Sequence, residues 1–194
     1  QNKNARNNIR ESRRKSRHRG STMILILSLC ADKLSEEEFV LPLVNIIGKC
    51  VTKQYTKITK EDIDKATHII LSGTPLQDNT YQENDWTWIR NIKKPFLGIC
   101  AGMHAIGIAY NAKIVKAPRI GMTTINVKES SILPKGTYDV YELHQYGITT
   151  PKGFTVLAER EGMPVMIQNK NMYGILFHPE VRMEELLNNF LHLK

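Results

Sequence analysis

One stretch constrains the fold of this chain more than any other: residues 95–104, with the sequence PFLGICAGMH. Its apolar part, Phe96–Ile99, predicts a short buried strand. The residues that follow, 101–110, carry apolar side chains at helical spacing and predict a helix. Cys100 therefore stands where a strand turns directly into a helix.

The neighbours of Cys100 suit such a turn. Gly98, Ala101 and Gly102 are small, as a strained strand-to-helix turn requires. The turn would hold the thiol above a helix N-terminus, where the dipole and free N–H groups favour the reactive thiolate. The alternative is a structural cysteine at the end of a core strand, and this stretch alone does not decide between the two.

The net charge of the chain is unevenly distributed. The 194 residues carry a formal charge of +8, and residues 1–22 hold eight Lys or Arg and one acid, which leaves +1 for residues 23–194. We therefore expect no nucleic-acid binding by the folded part. The segment 1–22 has almost no apolar residues and predicts a disordered basic arm, either a contact for RNA or anionic lipid or an addition unrelated to the fold.

The cysteines Cys30, Cys50 and Cys100 form no C-x-x-C pair and no disulfide framework. This usage suits a reducing compartment, and we expect a cytoplasmic protein. The sequence has no apolar run of about 18 residues, as a membrane span requires, and its N-terminus lacks the apolar segment of a signal peptide. No metal site is expected, and we interpret Cys30 as structural.

Apolar runs alternate with helical patterns through the first half of the chain. Strands are predicted at Met23–Leu29, Val51–Lys57, His68–Leu71 and Phe96–Ile99. Helices are predicted from an N-cap at Ser35 to Ile47, over Lys60–Lys65, and briefly over Asp85–Asn91. This alternation is typical of an α/β fold with a mostly parallel central sheet flanked by helices.

In the second half, Gly, Pro and Asn separate short extended segments, and this pattern predicts a smaller antiparallel β portion. Short extended segments are predicted at Lys113–Lys116, Thr123–Lys128, Tyr138–Leu143, Phe154–Ala158, Val165–Gln168 and Tyr173–Phe177. An amphipathic helix over Glu184–Leu193 closes the chain. We expect residues 23–194 to form one domain.

Two features fall at the carboxyl ends of predicted parallel strands, where α/β folds bind ligands. The first is Cys100, with the loop Ser72–Pro75 beside it. The second is His178-Pro179-Glu180, which follows the last strand. Residues two apart share a side of an extended segment, so Glu180 can orient His178 as a base for Cys100. The alternative for His178-Pro179-Glu180 is a simple strand end.

The motifs GICAG and FHPE, about 80 residues apart, resemble those of the class I glutamine amidotransferase family. The likeness extends over residues 23–194, and HPEV with Pro-x-Leu-Gly-Ile-Cys most resembles the GMP synthase branch of that family. The resemblance implies a flavodoxin-like fold. It also implies an enzyme that needs no cofactor and passes ammonia from glutamine to a separate synthetase subunit.

The resemblance also implies roles for individual residues. Cys100 would be the nucleophile, His178 the base and Glu180 its orienting acid. Backbone N–H groups of Thr74 and Ala101 would stabilise the oxyanion. The remaining residues expected to bind substrate are Gly73, His104, His144 and Gln145.

Two departures from the family pattern leave other functions open. Thr74 replaces a glycine, and threonine resists a positive φ. His104 replaces a glutamine that helps to hold the substrate. A thiol hydrolase of another γ-glutamyl compound, and a catalytically silent binding or regulatory subunit, are therefore the alternatives. His104, His144 and Gln145 can each also be read as purely structural.

Overall fold

The structure, a computed structural model, describes residues 23–194. The predicted disordered arm, residues 1–22, lies outside the described residues. The expected boundary of a single domain at residue 23 stays a prediction. Within the described part, no helix is long and apolar enough to cross a membrane.

Nine strands build two sheets within residues 23–194. They are β1 Ile24–Ser28, β2 Cys50–Gln54, β3 His68–Leu71, β4 Phe96–Ile99, β5 Ile114–Val127, β6 Gly136–Ile148, β7 Thr155–Arg160, β8 Met163–Asn169 and β9 Met172–Ile175. The larger sheet has the order β2-β1-β3-β4-β9-β8-β7, and β5 pairs with β6 in the smaller one. Pairs from β2 to β9 are parallel, whereas β8 is antiparallel to both β9 and β7. The predicted fold class is confirmed.

The central strands are short and apolar because both faces of the sheet are covered. Every residue of β1, β3, β4 and β9 is buried. The helices are α1 Glu36–Phe39, α2 Leu41–Ile47, α3 Lys60–Lys65, α4 Ala101–Ala109 and α5 Glu184–Leu191. Helix α2 contacts α5, whereas α4 packs against β3, β4 and β9. This arrangement leaves the carboxyl edge of the parallel strands for the loops that carry Cys100 and His178.

The predicted helix from Ser35 to Ile47 is wrong in two respects. It is divided at Val40, because Pro42 at the start of α2 has no N–H to continue α1. Ser35 does not cap α1 with its side chain; its hydroxyl instead donates to Asp32 Oδ2 at 2.7 Å. The sequence signal was correct for the helix content and for its start after Ser35, but it missed the division at Val40 and the side-chain partner of Ser35.

The antiparallel ribbon of β5 and β6 is longer than predicted. The segments expected at Lys113–Lys116 and Thr123–Lys128 belong to one strand, interrupted by a register shift between Lys116 and Arg119. Pro118, which cannot donate a ladder hydrogen bond, lies at that irregularity. The ribbon brings β6 across the carboxyl edge of the main sheet, where Glu142 forms a bridge with Phe177.

The turn between β4 and α4 depends on two close backbone approaches. A Cβ atom on Gly98 would lie 2.4 Å from the carbonyl oxygen of Gly102 and 2.8 Å from Ile106 Cδ1. A Cβ atom on Gly102 would lie 2.7 Å from the carbonyl oxygen of Leu71 in β3. Backbone atoms cannot move aside as side chains can, so both positions require glycine for space.

We predict that Gly98→Ala lowers the free energy of unfolding by about 3 kcal/mol or prevents folding, because the new methyl group overlaps backbone atoms. Denaturant titration of the purified variant measures this change. Gly107→Ala is the matched control, and we expect it to destabilise less. The atoms nearest to its new Cβ belong to the Ile148 side chain, at 3.0 Å, which can shift as backbone cannot, and alanine gains about 1 kcal/mol of helix propensity. Equal stability of the Gly98→Ala variant and the wild type would contradict the packing argument.

Candidate active site

Cys100 occupies the strained turn that the sequence predicts. Its φ and ψ are 49° and −102°, a region that residues with side chains rarely adopt. Its N–H donates to the carbonyl of Ile175 at 2.8 Å, and its carbonyl accepts from the N–H of His104 at 3.1 Å. The cysteine is therefore held by β9 on one side and by the first turn of α4 on the other.

His178 and Glu180 pair as predicted, although not on an extended strand. Strand β9 ends at Ile175, and the N–H of Val181 donates to the carbonyl of His178 at 3.2 Å, so the pair spans a turn. His178 Nδ1 lies 2.8 Å from Glu180 Oε1, and both side chains are buried. A carboxylate at Nδ1 places the proton there and leaves Nε2 as the basic nitrogen.

The ring of His178 is closely packed. The Phe39 ring lies 5.9 Å away between centroids. A Cβ atom on Gly73 would lie 2.7 Å from His178 Cε1, so the ring occupies the space that only a glycine leaves. Gly73 thus adjoins the histidine, and its predicted contact with substrate stays a prediction.

The electrostatics of His178 are set by opposing effects. Burial favours the neutral ring, but the nearby Cys100 and Glu180 favour the charged form, and the pKa of His178 rises well above its usual value. Nε2 of His178 is buried and has no hydrogen-bond partner among the described residues. Cys100 therefore lies close enough to raise the pKa of His178, although the thiol and Nε2 do not form a hydrogen bond of good geometry. Catalytic hydrogen bonds are often long or poorly aligned in resting sites.

The two residues expected to supply backbone donors to the oxyanion adjoin the same cavity as Cys100. Thr74 and Ala101 line the same small cavity as Cys100. The N–H of Ala101 is in the first turn of α4, whose donors have no acceptor within the helix. Thr74 keeps an ordinary φ, and its hydroxyl donates to Asp78 Oδ2 at 2.8 Å. Their oxyanion role stays a prediction.

His104 is already hydrogen-bonded at both ring nitrogens. Nδ1 lies 2.6 Å from the Tyr81 hydroxyl, and Nε2 lies 3.0 Å from the carbonyl of Tyr146. Since a carbonyl only accepts, Nε2 carries the proton and Nδ1 accepts from Tyr81. Burial lowers the pKa of His104 to about 4, so the ring is neutral at physiological pH. Contact with substrate, as predicted for His104, would require one of these bonds to break.

The other expected substrate residues lie on β6. His144 is buried, with Nε2 2.7 Å from Glu142 Oε2, and Gln145 is half-buried. Both line the cavity beside Cys100, which measures about 20 Å³. Because a single water molecule needs roughly 10–15 Å³, this cavity as it stands has room for about one water molecule. Their contact with substrate stays a prediction.

Sequence reasoning missed several polar residues around the site. They are Asp78, Tyr81, Glu142, Tyr146 and Arg160. Glu142 had a detectable signal, since Glu142-x-His144 repeats in reverse the spacing of His178-x-Glu180. Arg160 had none, because its partner is 18 residues away on another strand.

Two further predictions concern Cys30 and metal binding. Burial raises the pKa of the Cys30 thiol to about 11, in keeping with a structural role. Within residues 23–194, no His, Cys, Asp and Glu side chains cluster as metal ligands would.

Comparison with known proteins places the chain in a family. The sequence profile of the family described as "Glutamine amidotransferase class-I" matches residues 43–194. A glutamine-hydrolyzing GMP synthase subunit of Methanosarcina barkeri is 31% identical over an alignment of 162 residues; the match covers 68% of this chain and 85% of that protein. A glutamine-hydrolyzing GMP synthase of Streptococcus pyogenes is 34% identical over 155 residues; the match covers 69% of this chain and 29% of that longer protein.

Solved structures share the fold. A candidate GMP synthase subunit from Thermoplasma acidophilum superposes with a TM-score of 0.71 at 24% identity, covering 88% of this chain and 92% of that one. A glutamine amidotransferase from Thermotoga maritima gives a TM-score of 0.65 at 14% identity, with 87% and 82% covered.

We predict that His104 makes stability fall with acid. Its pKa is about 4 in the folded protein against 6.5 for the unperturbed ring. The unfolded chain therefore binds more protons between these values, and stability is lost as pH falls from 6.5 to 4, by about 3 kcal/mol. Denaturant titrations across this range should show a smaller loss for His104→Gln. His192→Gln, at an exposed histidine that contacts only its own helix, should keep the wild-type loss; an unchanged loss in His104→Gln would refute the assignment.

Proposed function

The chain belongs to the glutamine amidotransferase class-I family, and from this premise we propose that it is a glutaminase subunit that supplies ammonia to a separate synthetase. The proposal includes Cys100, His178 and Glu180 as nucleophile, base and orienting acid. The observation that carries it is the meeting of a strained, thiol-bearing turn and a buried His–Glu pair at one edge of the sheet.

The proposed first step is attack of Cys100 Sγ on the side-chain amide carbon of glutamine. The C=O π bond opens to a tetrahedral oxyanion, which the N–H groups of Thr74 and Ala101 stabilise. The proton from the thiol, held on His178, passes to the leaving nitrogen. The C–N bond then breaks to give ammonia and a thioester.

The second step regenerates the thiol. His178 takes a proton from water, whose oxygen attacks the thioester carbon; the C–S bond then breaks to give glutamate, and the proton returns to the sulfur. Glu180 holds the Nδ1 proton throughout and stabilises the imidazolium that forms in each step. The raised pKa of His178 supports this assignment, because a base beside a thiol must hold the transferred proton.

The relatives support the proposed partner. Two of them, from Methanosarcina barkeri and Saccharolobus solfataricus, are named as single subunits of a GMP synthase. The match to this chain covers only 29% of the Streptococcus pyogenes GMP synthase, so that protein has a large further part. We propose that a separate synthetase chain, of the GMP synthase type, does here what the further part does there.

A specific observation favours a second candidate, a thiol hydrolase of another γ-glutamyl compound. Both nitrogens of His104 are used by Tyr81 and Tyr146, so this ring does not offer a free donor to a substrate in the resting arrangement. The Thr74 hydroxyl likewise already donates a hydrogen bond to Asp78. A pocket with these two residues engaged can accept a γ-glutamyl substrate whose amide nitrogen carries a further group.

We predict that the protein, alone or with a candidate synthetase, releases ammonia from glutamine and that Cys100→Ala abolishes this. The expected loss in kcat is at least about 10³-fold, because no nucleophile remains. Glu180→Gln should lower kcat by about 10²–10⁴-fold with little change in folding, since it mis-sets the proton on the His178 ring. Ammonia is measured by a coupled glutamate dehydrogenase assay, and Cys50→Ala serves as the control cysteine.

The outcomes separate the candidates. No release from glutamine under any condition, with a folded protein, would refute the glutaminase proposal. Cys100-dependent release from γ-glutamyl amides or peptides, but not from glutamine, would favour the second candidate. Binding to a synthetase without any hydrolysis would leave only a silent regulatory role.

A further inference from the structure

A buried charged cluster behind the site has no part in the reaction described above. Its centre is Glu142 on β6, whose side chain is fully buried. Oε2 of Glu142 accepts from His144 Nε2 at 2.7 Å and from Arg160 Nη2 at 3.0 Å, and Oε1 accepts from Arg160 Nε at 3.2 Å. A buried carboxylate costs several kcal/mol unless it is paired, and here one guanidinium and one imidazole satisfy it.

The main chain on either side of Glu142 contacts both the candidate nucleophile and the candidate base. The carbonyl of Tyr141 accepts from the N–H of His178 at 2.8 Å. The carbonyl of Leu143 accepts from the thiol of Cys100 at 3.5 Å. The tripeptide Tyr141–Leu143 therefore spans the gap between the turn that carries the nucleophile and the turn that carries the base.

The direction of the side chains explains why Glu142 can hold this tripeptide. Side chains alternate along a strand, so Glu142 points away from the face of Tyr141 and Leu143. On that face Ile120 and Met122, the partners of Leu143 and Tyr141 on β5, are exposed. The outer face thus offers little packing. The ion pair with Arg160 therefore adds to the Tyr141–His178 hydrogen bond and the Glu142–Phe177 bridge in holding this part of β6 against the main sheet.

The cluster also orients His144. Because an ionised carboxylate only accepts, Nε2 of His144 carries the proton in this contact. Nδ1 is buried and has no hydrogen-bond partner among residues 23–194. The ring lines the cavity beside Cys100. By binding Nε2, the cluster therefore determines that Nδ1 is the unpaired nitrogen of His144.

We propose that Glu142 and Arg160 are positioning residues of the active site: through the Tyr141 and Leu143 carbonyls they set the placement of Cys100 relative to His178. This inference rests on the proposed function for its kinetic consequence. The predicted effect on the chemical reactivity of Cys100 does not depend on that function, because the reactivity of a cysteine toward an alkylating agent also depends on the placement of its histidine.

Variants that break the ion pair between Glu142 and Arg160 with a side chain of similar size test the proposal. Glu142→Gln and Arg160→Met each leave one buried polar group short of its partner. Arg160→Lys keeps the charge but loses the two-nitrogen contact with Glu142, so we expect an effect smaller than that of Arg160→Met but still measurable. Glu161→Gln is the matched control, because Glu161 is exposed and pairs only with the outer side of Arg160, at 3.3 Å.

The first readout is alkylation of Cys100 by iodoacetamide, followed by peptide mass spectrometry so that Cys30 and Cys50 are resolved. We expect Glu142→Gln and Arg160→Met to slow alkylation at least about tenfold, Arg160→Lys to slow it by an intermediate factor of about three- to fivefold, and Glu161→Gln to leave it unchanged. In ammonia release, kcat should fall at least about tenfold in the first two variants while KM changes less than about threefold.

Thermal unfolding of every variant separates positioning from stability. Folded Glu142→Gln and Arg160→Met variants with wild-type alkylation rates would overturn the proposal, whatever their melting temperatures. If Arg160→Met fails to fold, Glu142→Gln and Arg160→Lys decide. Slowed alkylation in a protein that never hydrolyses glutamine would uphold the positioning role and refute the glutaminase function, so the two failures are distinguishable.

Discussion

The close approach of backbone atoms between β4 and α4 is the constraint on which the rest of this structure depends. Gly98 and Gly102 let the chain reverse so tightly that Gly102 touches Leu71 of the neighbouring strand. Cys100 must then adopt a positive φ, which costs of order 1–3 kcal/mol and is sustained only because the surrounding contacts over-determine it. That strain presents the thiol at the carboxyl edge of the sheet.

The base reaches the same edge by another route. His178 is held by a turn after β9, by Glu180 on one side and by the space beside Gly73 on the other. Among the described residues, the buried side-chain polar atoms that lack a partner belong to Ser28, His144, His178 and Glu180. Proteins rarely leave such atoms unpaired. Three of the four residues, His144, His178 and Glu180, belong to the candidate site, so unpaired buried polar atoms are concentrated there.

Much of this could be predicted from the sequence because the signals are local. The strands predicted at His68–Leu71 and Phe96–Ile99 match the observed ones, since a strand buried on both faces is mostly apolar; His68 is the buried polar exception. The helix predicted from Ser35 to Ile47 is divided because Pro42 interrupts it, and the Ser35 hydroxyl donates to Asp32 instead of capping the first turn. For His178 and Glu180 the pairing was correct although the backbone is a turn, because both geometries bring residues two apart together.

The sequence by itself indicated the fold class, the strained turn at Cys100 and the pairing of His178 with Glu180, because each follows from patterns among residues close together in the chain. Only the tertiary structure decided what surrounds them. Tyr81 and Tyr146 engage both nitrogens of His104, and Arg160 reaches Glu142 from another strand. Such contacts depend on how distant segments pack, and the physical reason they escape the sequence is that a side chain's partner is chosen by space and desolvation, which no local pattern records.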